Sequence, residues 1–246
     1  MFNVPPQLRP YSRSSAGSDS LETSSINGFT LSDELIAFYQ ATDGLNLSQL
    51  DTDVLTLEAA SAYARDLDYH PLSQAVGLWP ITDSNDSNPY CVCLNQSLRG
   101  AVLRLSHDGS TRISHHSLSA FLSSIEELVA NGAESIDDCN HEFPLDTNLM
   151  ASADCLLSDV LHQQTFDEAV IVPLLSACSP ASIASCLTAE NMWVREEAAL
   201  LLGKHVHLPS REALIALSKA GTDQDNVAAK KSLSIINRAF FAQRGS

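Results

Sequence analysis

Three short stretches decide the fold: Val76-Gly77-Leu78-Trp79-Pro80-Ile81, Tyr90-Cys91-Val92-Cys93-Leu94 and Ala101-Val102-Leu103-Arg104-Leu105. Each is apolar, rich in β-branched or aromatic residues, and too short for a helix. A fourth, brief Arg112-Ile113-Ser114 follows. The connections at 83–89, 95–100 and 106–110 are rich in Asp, Asn, Ser and Gly, and Asp108-Gly109 is a hairpin signal. Strands joined by short turns predict an antiparallel meander.

Helical spacing begins on either side of these strands. Leu31, Leu35, Phe38 and Tyr39 form one stripe, with Thr30 placed to cap it and Thr42-Asp43-Gly44 to end it. Val54 to Leu57 reads as extended and 58–67 as a second helix. After the strands, Leu118, Phe121, Leu122, Ile125 and Leu128 recur at helical intervals from Ser117 onward. Helix, strands, helix over 30–133 predicts an α+β domain. Residues 1–29, crowded with Ser, Pro and Gly, read as a loosely held arm pinned by Phe2 and Val4, and acidic 134–150 as a linker. From 151 to 246 strand signals stop. Helices are expected at 153–163, 166–177, 180–188, 192–205, 210–220 and 224–241, an all-α domain of short stacked pairs. Val194-Arg195-Glu196-Glu197-Ala198-Ala199-Leu200 echoes Val227-Ala228-Ala229-Lys230-Lys231-Ser232-Leu233 at an offset of 33, a spacing typical of helical repeats.

The chain has 246 residues, 44% of them hydrophobic and 18% charged, enough to bury a core. No apolar run nears the ~20 residues of a membrane span. Without a visible signal segment, a cytoplasmic protein is expected. Thirty acids against 14 bases give a net charge of −16. Nucleic acid and anionic membrane are unfavourable partners on that balance. The charge is uneven: 1–150 carries 20 acids and 6 arginines, while no lysine precedes Lys204. The six cysteines show no Cys-x-x-Cys pair and no histidine at zinc spacing, so free buried thiols are expected.

Leu31-Ser32-Asp33-Glu34-Leu35-Ile36-Ala37-Phe38-Tyr39 with Asp43-Gly44-Leu45, the strands from Trp79-Pro80-Ile81 to Val102–Leu105, and Ser119-Ala120-Phe121-Leu122 together resemble the SUKH superfamily over about residues 30–130. Asn191-Met192-Trp193-Val194-Arg195-Glu196-Glu197-Ala198-Ala199-Leu200-Leu201-Leu202-Gly203 is similar to a HEAT-like repeat, whose Val, Ala and Leu would face inward while Arg bridges neighbouring repeats. The second copy departs from that pattern, with Ala228 for the arginine and Ile236 for the glycine. The SUKH resemblance implies a binding module: bacterial members are commonly immunity proteins that neutralise toxins, many of them nucleases, and fungal members are regulatory. The HEAT-like resemblance implies protein recognition.

No phosphate loop, nucleophile elbow or His-Glu-x-x-His motif is present in the sequence, and a non-enzymatic role is expected, without cofactor or metal. His205 and His207 follow a helix end and read as caps, and His115-His116 as part of an exposed loop. Paired acids could serve acid–base chemistry, and Asp83, Asn85 and Asp86 could ligate a hard cation, but an Asx-rich turn explains them as well. As partner-binding candidates the acids Asp51, Asp53, Asp66, Asp68, Asp83 and Asp86 stand out, together with Tyr90 as aromatic anchor; Trp79 and Trp193 read as core. The expected function is to occupy the basic cleft of a protein partner such as a nuclease toxin. The alternative is an intracellular scaffold or regulator that holds an endogenous protein on its helical half.

Overall fold

Ser32, rather than Thr30, opens the first helix, α1 (Asp33–Ala41): its hydroxyl accepts from the Leu35 amide at 3.2 Å. Leu35, Phe38 and Tyr39 are the face it buries. The computed structural model describes residues 2–15, 25–84, 88–106, 111–136, 147–162, 167–220 and 222–244. The chain divides into two compact units, Met1–Leu149 and Met150–Ser246.

The first unit is α+β, with small antiparallel sheets. A four-stranded sheet runs in the order β5 (Leu78–Pro80), β7 (Tyr90–Cys93), β8 (Val102–Arg104), β9 (Arg112–His115). This is the expected meander, and β7 is buried on both faces, which explains why its sequence is apolar without alternation. A second sheet consists of β3 (Leu45–Leu47), β4 (Thr52–Val54) and β6 (Thr82–Ser84); of these residues only Val54 is expected from the sequence to be extended, and Asp83 and Ser84 are expected in a turn. The hairpin β1 (Ser25–Ile26) and β2 (Phe29–Thr30) makes a third. Helices α2 (Leu57–Asp66), capped by Thr56, and α4 (Leu118–Ala130), capped by Ser117, fall where the spacing predicts. The six-residue α3 (Pro71–Val76) adds to them.

Phe2 and Val4, the expected pins of the N-terminal arm, do pack on the core of this unit, and residues 6–12 add further points of attachment. Leu8 is wholly buried in a 3-10 turn over Pro6–Tyr11, Phe2 meets the Phe38 ring edge-on at 5.6 Å, and Ser12 bridges to Leu45. Residues 16–24 lie outside the described ones, as do 137–146 of the expected linker, whose Ile136 joins the core of this unit. Trp79, Tyr39, Phe38 and Phe121 are the largest side chains in that core, where the Trp79 indole donates to the Tyr39 hydroxyl at 3.2 Å. Glu34 ties the ends of the unit together. Its carboxylate accepts from the Leu118 and Ser119 amides, at 3.2 and 2.9 Å, and from the Ser119 hydroxyl at 2.6 Å. An acidic group over these unsatisfied amides is favoured by the helix dipole as well.

Among its described residues the second unit has helices, joined by short turns, and no strand. α5 (Thr147–His162) begins just before it, followed by α6 (Glu168–Leu175), α7 (Pro180–Ser185), α8 (Met192–Lys204), α9 (Arg211–Ala220) and α10 (Asp223–Arg244). α8 and α10 run in the same direction. Near their N-termini Arg195 Nε donates to Asp225 Oδ2 at 2.7 Å, and further along a Cβ on Gly203 would run into Ser232. Val194, Ala198, Ala199 and Leu202 face inward. The echo at an offset of 33 is out of phase with burial, because Val194 is buried while Val227 is 64% exposed. Trp193 is 49% exposed, which corrects its reading as core. Among the described residues no helix is long and apolar enough to cross a membrane.

Candidate functional site

The β3–β4–β6 sheet carries half of the candidate acids. The chain enters it through Gly44, at φ +86°, where any Cβ would collide with the Val54 carbonyl; Asp43 anchors the next helix by accepting from the Leu57 amide at 2.7 Å. Asp51 takes the left-handed conformation (φ 52°) that ends a 3-10 turn, a role aspartate tolerates. Thr52 and Val54 point inward, so Asp53 points outward, and its direct partner across the strands is the exposed Asp83. Asn46 completes the outward row. Carboxylates at directly opposed sheet positions repel each other. Asp53 is steadied by the Leu47 amide at 3.0 Å and by Arg13 at 2.7 Å, a surface pair that contributes at most ~1 kcal/mol.

Asp66 and Asp68 form a separate group at the C-terminal end of α2, both exposed. Between Asp68 and His70 the Tyr69 side chain projects with 78% of its surface in solvent. The turn beneath it is held from both sides. The Asp68 amide donates to the Arg65 carbonyl at 3.2 Å, the His70 amide to the Leu67 carbonyl at 2.9 Å, and Gln74 Nε2 to the Asp68 carbonyl at 3.2 Å. His70 Nδ1 accepts from the Leu72 amide at 3.2 Å. An exposed aromatic ring next to carboxylates on a braced turn offers contact area with little ordering left to do on binding.

Tyr90 is not such an anchor. It is 2% exposed and packs at 4.9 Å against the Phe121 ring, in the core of the unit. The aromatic that meets solvent among acids is Tyr69, which sequence reasoning missed. The available signal was its phase: Leu57, Ala60, Ala64 and Leu67 follow the buried stripe of α2, and Tyr69 falls off it. Asp86 lies outside the described residues, as does Asn85. The structure thus pairs Asp53 with Asp83 on one sheet, leaves Asp51 in the turn between its first two strands, and sets Asp66 and Asp68 just before Tyr69.

Several histidines and cysteines are engaged in the fold. His115, expected in an exposed loop, is instead buried on β9, with Nδ1 2.9 Å from Ser114 Oγ and Nε2 3.2 Å from Ser124 Oγ. His207 Nδ1 lies 2.7 Å from Ser210 Oγ, and His205 ends α8. Cys91, Cys93, Cys178 and Cys186 are buried free thiols, whereas Cys155 is exposed. Burial, then the neighbouring Cys93, pushes the Cys91 thiol well up, and burial takes Cys93 to about 12, so neither forms a thiolate readily. Among the described residues no group of three His, Cys, Asp or Glu is placed to hold a metal ion. No protein-family model, curated protein or solved structure matches the chain.

Proposed function

We propose that this chain is a non-catalytic protein-binding module whose first unit grips a basic protein. The observation that carries this reading is Tyr69 exposed on its braced turn, just after the exposed Asp66 and Asp68, in a stretch of 150 residues with 20 acids and 6 arginines. Carboxylates draw a basic surface in quickly and select against acidic ones, while affinity comes from a few well-placed aromatic contacts. Asp66, Asp68 and Tyr69 form the centre of the contact, and Asp51, Asp53 and Asp83 a second acidic patch. The resemblance to the SUKH superfamily supports an immunity role, with the basic cleft of a nuclease toxin as the target. The solvent-facing Trp193 and Val227 favour a second reading, in which the helical unit holds an endogenous protein.

The deciding experiment is inhibition of a basic nuclease domain encoded beside this chain's gene, measured with the intact protein and with Tyr69→Ala and Asp66→Asn/Asp68→Asn. Inhibition should weaken at least about tenfold in each variant, and again between low and high salt. Inhibition indifferent to salt and to all three positions would sink the reading.

A further inference from the structure

The outward face of α10 is chemically unlike the rest of the chain. Residues 226–246 contain Lys230, Lys231, Arg238 and Arg244 and no acid, in a protein of net charge −16. The inner face of the helix, Asp225, Ala228, Ala229, Ser232 and Ile236, is buried. At helical spacing the opposite side presents Val227, Lys230, Lys231, Ile235, Arg238 and Phe241, all exposed. Phe241 is 61% exposed. At 1.5 Å per residue, Val227 and Phe241 stand ~21 Å apart with the cations between them. Arg195 and Arg211 of this unit are already occupied, the first by Asp225, the second by Glu212 and Asn237. No ion pair engages Lys230, Lys231 or Arg238 among the described residues, where Arg238 meets only Ser234 Oγ at 3.4 Å.

The geometry points to this face as the docking site for an acidic amphipathic helix of another protein. An occupant must supply apolar side chains for Val227, Ile235 and Phe241 and negative charge for the cations between, which is the pattern of a helix with leucine-like residues on one stripe and carboxylates on its flanks. Four turns of contact match the span. A nucleic acid would leave the apolar positions against water or sugar, and three exposed cations neutralise few phosphates. An anionic membrane is an extended surface that sets its charge against the whole protein, net −16, whereas a single helix brings its few carboxylates to this face alone. This assignment deepens the second reading above, in which the helical unit holds another protein, and calls on none of Asp66, Asp68 and Tyr69.

The test is fluorescence anisotropy on the full chain with a labelled synthetic peptide, leucine on one helical stripe and glutamate on the flanks. A scrambled peptide of the same composition, a short single-stranded oligonucleotide and vesicles of phosphatidylcholine and phosphatidylserine are titrated in parallel. The patterned peptide should bind in preference to all three. Its affinity should drop about tenfold with Phe241→Ala and with Lys230→Glu/Lys231→Glu, and should be unchanged by Tyr69→Ala. These side chains face solvent, and unchanged melting of the variants confirms that the fold is intact. Equal binding of the scrambled peptide, indifference to both variants, or tighter binding of oligonucleotide or vesicle would overturn the assignment. So would a concentration-dependent dimer abolished by the lysine reversal, which would give the face to a second copy of the chain.

Discussion

Arg195 makes three bonds at the start of α8: to Asp225, and to the carbonyls of Ala189 and Glu190 at 2.7 Å each. Asp225 is fully buried and also accepts from the Thr222 hydroxyl at 3.0 Å. A buried carboxylate left without its cation is strongly destabilising, so Arg195→Ala should cost about 3–5 kcal/mol in urea unfolding. Asp225→Asn keeps an acceptor for both neighbours and should cost clearly less. Glu197, on the same helix, is held in a less comfortable state. Burial and then Glu196 raise its carboxyl above the usual glutamate range, and Lys204 offsets part of this. A raised folded value means that ionisation costs stability. That penalty is absent below ~pH 4, where the group is protonated folded or unfolded, grows as pH rises through the folded value, and stays in full at neutrality. Glu197→Gln should therefore raise the melting temperature at pH 7 and leave it unchanged at low pH; the reverse dependence would contradict the assignment.

At the scale of elements, the N-terminus of α4 has two caps, Ser117 through the Ala120 amide at 3.1 Å and Glu34 from a distant helix. Glu34→Ala should cost about 1 kcal/mol, and Glu34→Gln, which keeps an acceptor but loses the charge, a fraction of that, as read by chemical denaturation. The helices were readable in the sequence because amphipathic stripes and Ser or Thr caps are local signals. Strands β3 and β6 were not: each has three residues, fewer than an alternating pattern needs to show itself. Tyr90 misled for a related reason, since a strand buried on both faces gives no clue to which side meets water. The 33-residue echo failed at Val227 because similarity of composition does not fix the rotation of a helix about its axis. What helical phase did contain, and what was passed over, was the displacement of Tyr69 from the α2 stripe.

For the whole molecule, the acidic excess in residues 1–150 sets a background repulsion. Charges spread over a surface at separations beyond ~10 Å are largely screened at 0.1 M ionic strength. Scanning calorimetry should accordingly find a higher melting temperature as neutral salt is added from low ionic strength, because the self-repulsion relieved exceeds what the exposed Arg13–Asp53 pair loses. A fall in melting temperature over that range would mean that local ion pairs dominate.

The reach of Glu34 to Ser119 also has a meaning in time. Synthesis delivers α1 long before α4, so while the chain emerges the Glu34 carboxylate has no helix start to hold, and Phe38 lacks the later partners of its core. Closure of this unit waits on the last of its helices, and a nascent chain stopped short of Leu118 would display Leu35 and Phe38 to whatever chaperone is at hand.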